Sequence, residues 1–206
     1  MKKIFTLLML VLLSKFAYAA EQSGVIIGVH FAKGFASSEA EITTATNTSS
    51  SVKAPNHDGW RYGIMFGYEE FASPELGVRY YGIFDFGSKY TNGEETDAKG
   101  GYSIFTYNFN FNVDVIRDFL LASGMRYGFF AGLNAGYADS RLQLENQNER
   151  TVAGLDFGFN TGFRAGYERV TTEIYGRFSV YSQEGKVNAD SVKQPYQVGL
   201  RLIYTF

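Results

Sequence analysis

From residue 24 to the end of the chain, apolar side chains fall on every second position, segment after segment. The clearest case is GLDFGFNTGFRAGY, residues 154–167. Leu155, Phe157, Phe159, Thr161, Phe163, Ala165 and Tyr167 share one parity, and Gly154, Asp156, Gly158, Asn160, Gly162, Arg164 and Gly166 share the other. A period of two puts these sets on opposite faces of a β-strand, whereas a helix would spread the phenylalanines around its circumference. Residues 24–36, 58–69, 76–87, 101–115, 124–138, 172–182 and 195–206 behave alike, with 172–182 carrying the weakest pattern. Most of these segments reach the roughly 9–11 residues that a strand needs to cross a hydrocarbon layer.

The connections alternate in length. Residues 37–57, 88–100, 139–150 and 183–194 are long and polar, and residues 70–75, 116–123 and 168–171 are short. Outer-membrane barrels have this asymmetry, with short periplasmic turns and longer outside loops. The pattern predicts an all-β fold: an eight-stranded antiparallel up-and-down transmembrane β-barrel over residues 20–206. Residues 37–57, SSEAEITTATNTSSSVKAPNH, lack a sustained apolar face and are expected to form a flexible loop.

Composition narrows the reading further. The chain opens MKKIFTLLMLVLLSKFAYAA: Lys2 and Lys3, an apolar run from Ile4 to Leu13, then Ala17-Tyr18-Ala19. This is the plan of a cleaved signal peptide, residues 1–19, too short in its apolar part to span a bilayer as a helix. Losing Lys2, Lys3 and Lys15 takes the formal charge of −2 to about −5, which disfavours nucleic acid as a partner. There is no cysteine and there are only two histidines, so neither a disulfide framework nor a zinc site is expected, and no cofactor is expected. The 15 Tyr, 19 Phe and 23 Gly against 3 Pro fit a lipid-facing, aromatic-rich barrel.

The stretches GWRYGIMFGYEEF, LGVRYYGIFDFG, FFAGLNAGYADS and GLDFGFNTGFRAGYE, with NVDVIRDFL and the aromatic C-terminus, resemble the Helicobacter-type outer-membrane protein family of epsilon-proteobacteria over most of residues 58–206. The resemblance implies a barrel in the bacterial outer membrane. It also implies a role among porins and adhesins and carries no shared catalytic residues. The aromatic last strand resembles the signal that such barrels present to their assembly machinery, which would be read from Tyr204 and Phe206.

The parity opposite the apolar face collects Arg61, Glu69, Arg79, Asp85, Asp114, Arg126, Asp156, Arg164, Glu173, Arg177 and Arg201. Eight strands leave an interior just wide enough for side chains to fill. These charges are therefore expected to pair across the lumen, the alternative being a narrow wetted path between glycine-lined walls. Trp60, Tyr62, Tyr68, Tyr127, Tyr137, Tyr167 and Tyr196, together with Tyr90, Tyr102 and Tyr204, lie near expected strand ends. There aromatic rings form a girdle at the headgroups; a carbohydrate-stacking site is the other reading. His30 shares its parity with the lumen charges. His57, beside Asp58 and near Ser49, Ser50 and Ser51, raises a lipid A deacylase-like pair, but a solvated loop histidine is the simpler reading, and an enzyme is not expected. NGEETDAKG, residues 92–100, is an acidic loop without a known calcium-ligand spacing. The expected function is a surface-interaction role through the outer loops, with a small porin as the alternative. The expected partners are outer-membrane lipid, lipopolysaccharide, the barrel assembly machinery and host surface ligands.

Overall fold

The computed structural model describes residues 23–43, 49–91, 102–120, 124–144, 149–180, 182–184 and 191–206, some of them near the strand ends by backbone alone. The expected signal peptide lies outside the described residues. The strands are β1 (Gly24–Thr43), β2 (Ser49–Ser73), β3 (Leu76–Thr91), β4 (Tyr102–Leu120), β5 (Met125–Leu144), β6 (Arg150–Tyr167), β7 (Val170–Ser179), β8 (Ser182–Glu184) and β9 (Ser191–Thr205). Each pairs antiparallel with its neighbour, and β9 returns to β1 to close the wall. The three-residue β8 prolongs the line of β7 along β9, so the barrel has eight staves. Closure leaves no edge inside the membrane, where an unpaired backbone group has no water to bond.

The stagger of the wall can be followed along one row of directly opposed residues. Val25 faces Tyr68, which faces Tyr80, and the row continues through Val113, Leu133, Phe159, Phe178 and Tyr196 to Phe35. It starts and ends on β1, ten residues apart, and every member is outward-facing and apolar. Ten residues rise about 33 Å along a strand, or about 25 Å along the axis at a tilt of about 40°. That is the height of the apolar band of an outer-membrane barrel, about 25 Å.

Alternation predicted which face of each strand is apolar, but several ends differ from expectation. Within residues 37–57, expected as a loop, the described residues are paired strand: β1 continues to Thr43 and β2 starts at Ser49, paired from Ser38↔Ala54 to Thr43↔Ser49. β5 likewise runs on to Leu144, and β4 to Leu120 within the stretch 116–123 expected to be a turn. Beyond the membrane both faces of a ribbon meet water, so backbone pairing persists without an apolar stripe to mark it. The short connections contract to Pro74-Glu75, residues 121–124 and Glu168-Arg169.

The three prolines explain the irregularities that remain. Pro55 and Asn56 together oppose one position between Ala36 and Ser38, and Gln194 and Pro195 oppose one position between Phe35 and Ser37. Pro74 occupies the β2–β3 turn. A proline donates no ladder hydrogen bond and is confined to bulges, edges and turns. Here all three sit at or beyond the ends of the apolar band, none inside it.

Candidate functional site

The inward faces of the staves meet at the axis, and charge fills much of the space. Among the described residues six arginines (Arg61, Arg79, Arg126, Arg164, Arg177 and Arg201) and six carboxylates (Glu69, Asp85, Asp114, Asp118, Asp156 and Glu173) are buried. The numbers balance, and the cations are guanidinium groups, whose planar fork matches carboxylates.

At mid-height Arg79 donates to Glu173 at 2.7 and 3.2 Å and to Asp114 at 2.7 Å. Arg201 donates to the Tyr81 hydroxyl at 3.0 Å and to Glu173 at 3.5 Å. Arg164 reaches Glu69 at 3.4 Å and lies 3.6 Å from Asp118. The Thr205 hydroxyl donates to Glu69 at 2.8 Å, so β9 is tied to β2 over the inner face of β1, which lies between them. Aromatic rings cap these charges. The Arg201 guanidinium lies 3.8 Å from the Tyr175 ring centre, and Arg79 lies 4.8 and 5.0 Å from the rings of Tyr81 and Phe130. Arg79 is 0 % exposed, Arg201 1 %, Phe130 0 % and Tyr175 2 %.

Toward the end with the long connections the interior becomes amide-rich. Arg61 pairs with Asp85 at 2.9 Å and also donates to Gln194. Arg177 pairs with Asp156 and donates to Asn110 and Asn134 at 3.0–3.1 Å. Asn160 joins the two layers, donating to Asp114 at 2.5 Å and to Tyr81 at 3.1 Å while accepting from Asn134 at 3.3 Å. His30 bonds the Tyr175 hydroxyl at 2.8 Å and stands 4.0 Å from Asp85, in the lumen as its parity implied.

All the charges read from the sequence as inward are buried, but among the described residues Arg126 is within ion-pair distance of no carboxylate. It donates to the Glu168 carbonyl at 3.0 Å, fastening the β6–β7 turn. The alternative, a wetted path between glycine-lined walls, finds little room among the described residues. The glycines stand opposite large inward side chains, which occupy the space. A Cβ on Gly67 would press on the Tyr80 carbonyl and come 2.5 Å from Tyr81 Cβ, and one on Gly162 would lie 2.8 Å from the Phe130 ring. Sequence reasoning missed most of these inward apolar groups, among them Phe71, Tyr81, Ile116, Phe130 and Tyr175. The available signal was adjacency: Tyr80-Tyr81, Phe129-Phe130 and Ile174-Tyr175 are neighbouring apolar pairs, and in a strand one of each pair must point inward.

On the outside, Trp60, Tyr62, Tyr68, Tyr127, Tyr137, Tyr167, Tyr196 and Tyr204 are all exposed to the lipid side. Phe31 stacks on Trp60 at 4.7 Å and Phe35 on Tyr196 at 4.4 Å. Phe206 is exposed, its N–H donating to Val25 at 2.9 Å and its ring set edge-on to Tyr204 at 4.9 Å. The backbone of His57 lies in β2 opposite Ala36. The side chains of His57, Asp58, Ser49, Ser50, Ser51, Tyr90 and Tyr102, and residues 92–100, lie outside the described residues. Among the described residues no group of acidic or histidine side chains is placed to hold a metal ion.

A family model described as Helicobacter outer membrane protein matches residues 63–205. The chain belongs to the Helicobacter outer membrane protein family. It is therefore a β-barrel protein of the outer membrane. Solved structures agree on the fold. Neisserial surface protein A superposes with a TM-score of 0.54 at 12% identity, covering 89% of this chain and 99% of that one. OprG from Pseudomonas aeruginosa gives 0.53 at 12%, covering 89% and 96%. A major outer membrane protein from Thermus thermophilus gives 0.50 at 15%, covering 88% and 99%. A comparison with curated proteins returned no match. Within the family's matched region fall all of the lumen charges except Arg61, so the buried network is built almost wholly from the part of the chain that defines membership.

Proposed function

We propose that this family member is a sealed barrel that works as a surface protein, anchored by its wall and acting through the hairpins at its long-connection end. By the rule of short periplasmic turns, the turns at Pro74-Glu75 and Glu168-Arg169 face the periplasm. The β1–β2 ribbon beyond Ala36 and Ala54 then projects outside. Host surface ligands and lipopolysaccharide are the partners that this orientation offers, and the barrel assembly machinery reads Tyr204 and Phe206 during insertion.

The observation that carries the proposal is the mid-height layer. Arg79, Arg201, Glu173, Asp114, Tyr81, Phe130 and Tyr175 are each 0–2 % exposed and bonded or stacked on one another. Ion passage would require separating pairs whose partners have no water to replace them, and stranding a buried charge costs about 3–5 kcal/mol. Planar-bilayer recording of the purified protein tests this. A silent membrane is expected, and reproducible conductance steps would overturn the sealed reading in favour of a small porin. Removing residues 38–54, with binding to epithelial cells as the readout, tests the hairpin role. Loss of binding is expected, and unchanged binding would count against it.

A further inference from the structure

Toward the end with the long connections the inner lining of the barrel has a gap. One row of directly opposed inward residues runs Arg177, Gln197, Gly34 and Gly59, so two bare positions lie side by side next to the seam where β9 closes on β1. Arg61 leans into the gap from two residues further along β2, its Nε 2.8 Å from where a Cβ on Gly34 would stand. Gln194 enters from the opposite side. From Tyr196 onward the even positions of β9 face out. The bulge at Gln194-Pro195 reverses that order, and Gln194 accepts from Arg61 and reaches Ser140 at 3.4 Å inside the lumen. Bulges re-aim side chains in this way. What remains between these groups is a cavity of about 10 Å³, lined in part by Gly34, Arg61, Arg177, Gln194 and Gln197.

The lining has hydrogen-bonding capacity to spare. Arg61 spends Nη1 on Asp85 and Nη2 on Gln194. Arg177 spends Nε and Nη2 on Asn134, Asn110 and Asp156. Gln197 donates its amide to the Tyr175 hydroxyl at 2.6 Å. Arg61 Nε, Arg177 Nη1 and Gln197 Oε1 are left without a bond to any described residue, although all three side chains are buried. Buried polar groups left unmet are costly. The charges here are already matched, Arg61 by Asp85 and Arg177 by Asp156. An ion of either sign would unbalance that quartet. Two donors and one acceptor instead suit a small neutral molecule that accepts twice and donates once. A buried water makes about three such bonds and needs a cavity of roughly 10–15 Å³.

We propose that this cavity is a binding site for a single water molecule, which accepts from Arg61 Nε and Arg177 Nη1, donates to Gln197 Oε1, and so ties β2, β7 and β9 together beside the closing seam. The site lies outside the mid-height layer, and the inference does not rest on that layer being sealed.

Nuclear magnetic resonance of protein refolded into detergent micelles with nitrogen-15 arginine tests it. The Arg61 Nε–H should give a cross-peak to water that is opposite in sign in laboratory-frame and rotating-frame spectra, which marks a long-lived contact and not proton exchange. The Nε–H groups of Arg79 and Arg201 are the internal control. They are buried without a hydrogen-bond partner, and aromatic rings cover their guanidinium groups, so they should give no such peak. Gly34→Ala sets a methyl against Arg61 Nε and should lower the Arg61 peak at least tenfold, with amide exchange over residues 32–35 and 196–199 at least tenfold faster. If Gly34→Ala does not fold, Gln197→Leu removes the acceptor and should lower the peak as much. No peak at Arg61 in the wild type would overturn the proposal. Equal peaks at Arg79 and Arg201 would do so too, by showing general wetting and no site. A peak that fades as chloride replaces sulfate at constant ionic strength would give the cavity to an anion, and unchanged exchange at the seam in Gly34→Ala would remove the tie; either result overturns the proposal.

Discussion

Glu173 offers the sharpest test of how the barrel is held closed. Its carboxylate is sealed at mid-height, accepts two bonds from Arg79 and one from Arg201, and stands 4.0 Å from Arg164. Glu173→Gln keeps the side chain's size and removes the charge. Arg201 then loses the one carboxylate that pairs with it among the described residues, and Arg79 keeps only Asp114. Stripping a buried ion pair of one partner costs about 3–5 kcal/mol. The molecule supplies its own control. Arg117 and Glu75 pair at the same 2.7 Å as Arg79 and Glu173, but at the rim with the short turns, with side chains 44% and 50% exposed. Solvent screening and side-chain entropy reduce such a pair to about 0–1 kcal/mol, so Glu75→Gln should scarcely register. The assay is a urea titration of protein refolded into detergent micelles, followed by the fluorescence of Trp60, the single tryptophan. The two variants should differ by at least about 2 kcal/mol. If Glu173→Gln unfolds within about 1 kcal/mol of the wild type, burial is not what gives the network its strength and the reasoning fails.

Three further outcomes follow from the wall. Gly67→Val would drive two methyl groups against Tyr81 and should destabilise the barrel by about 1–3 kcal/mol in the same titration, with no loss if the strands can part to admit them. Trp60 should be quenched by lipids brominated near the headgroup more strongly than by those brominated at the chain ends, and the reverse order would misplace the upper aromatic level. Phe206→Ser removes an exposed ring while leaving its backbone bond to Val25, so assembly in cells should slow while the stability of the refolded protein shifts by less than about 1 kcal/mol. A large stability loss instead would make Phe206 a structural residue.

The sequence carried the faces of the staves and little of their length or filling. Lipid on one side and a polar lumen on the other impose a strict period of two, and GLDFGFNTGFRAGY displays it without interruption. Residues 38–43 and 49–54 carry no such mark because beyond the membrane water meets both faces of a ribbon, and only backbone geometry reveals the pairing. The inward charges could be listed from parity alone, yet their partners could not. Arg79 and Glu173 are 94 residues apart and meet only because β3 and β7 stand across the lumen from each other. Arg126 carries the right charge on the right face and still bonds a turn carbonyl, because it sits by the β6–β7 turn rather than at the central layer.

The continuous row from Val25 to Phe35 bears on how such a wall can change over evolutionary time. Because each staggered row runs through every stave of the closed wall, losing or gaining one residue within the apolar band turns the rest of that stave inside out and displaces every partner beyond it. Exchanges of one greasy residue for another leave the rows intact. Drift within the membrane should therefore proceed by replacement, and length variation should gather above the bulges at Pro55 and Pro195, where the wall has already let go of its register.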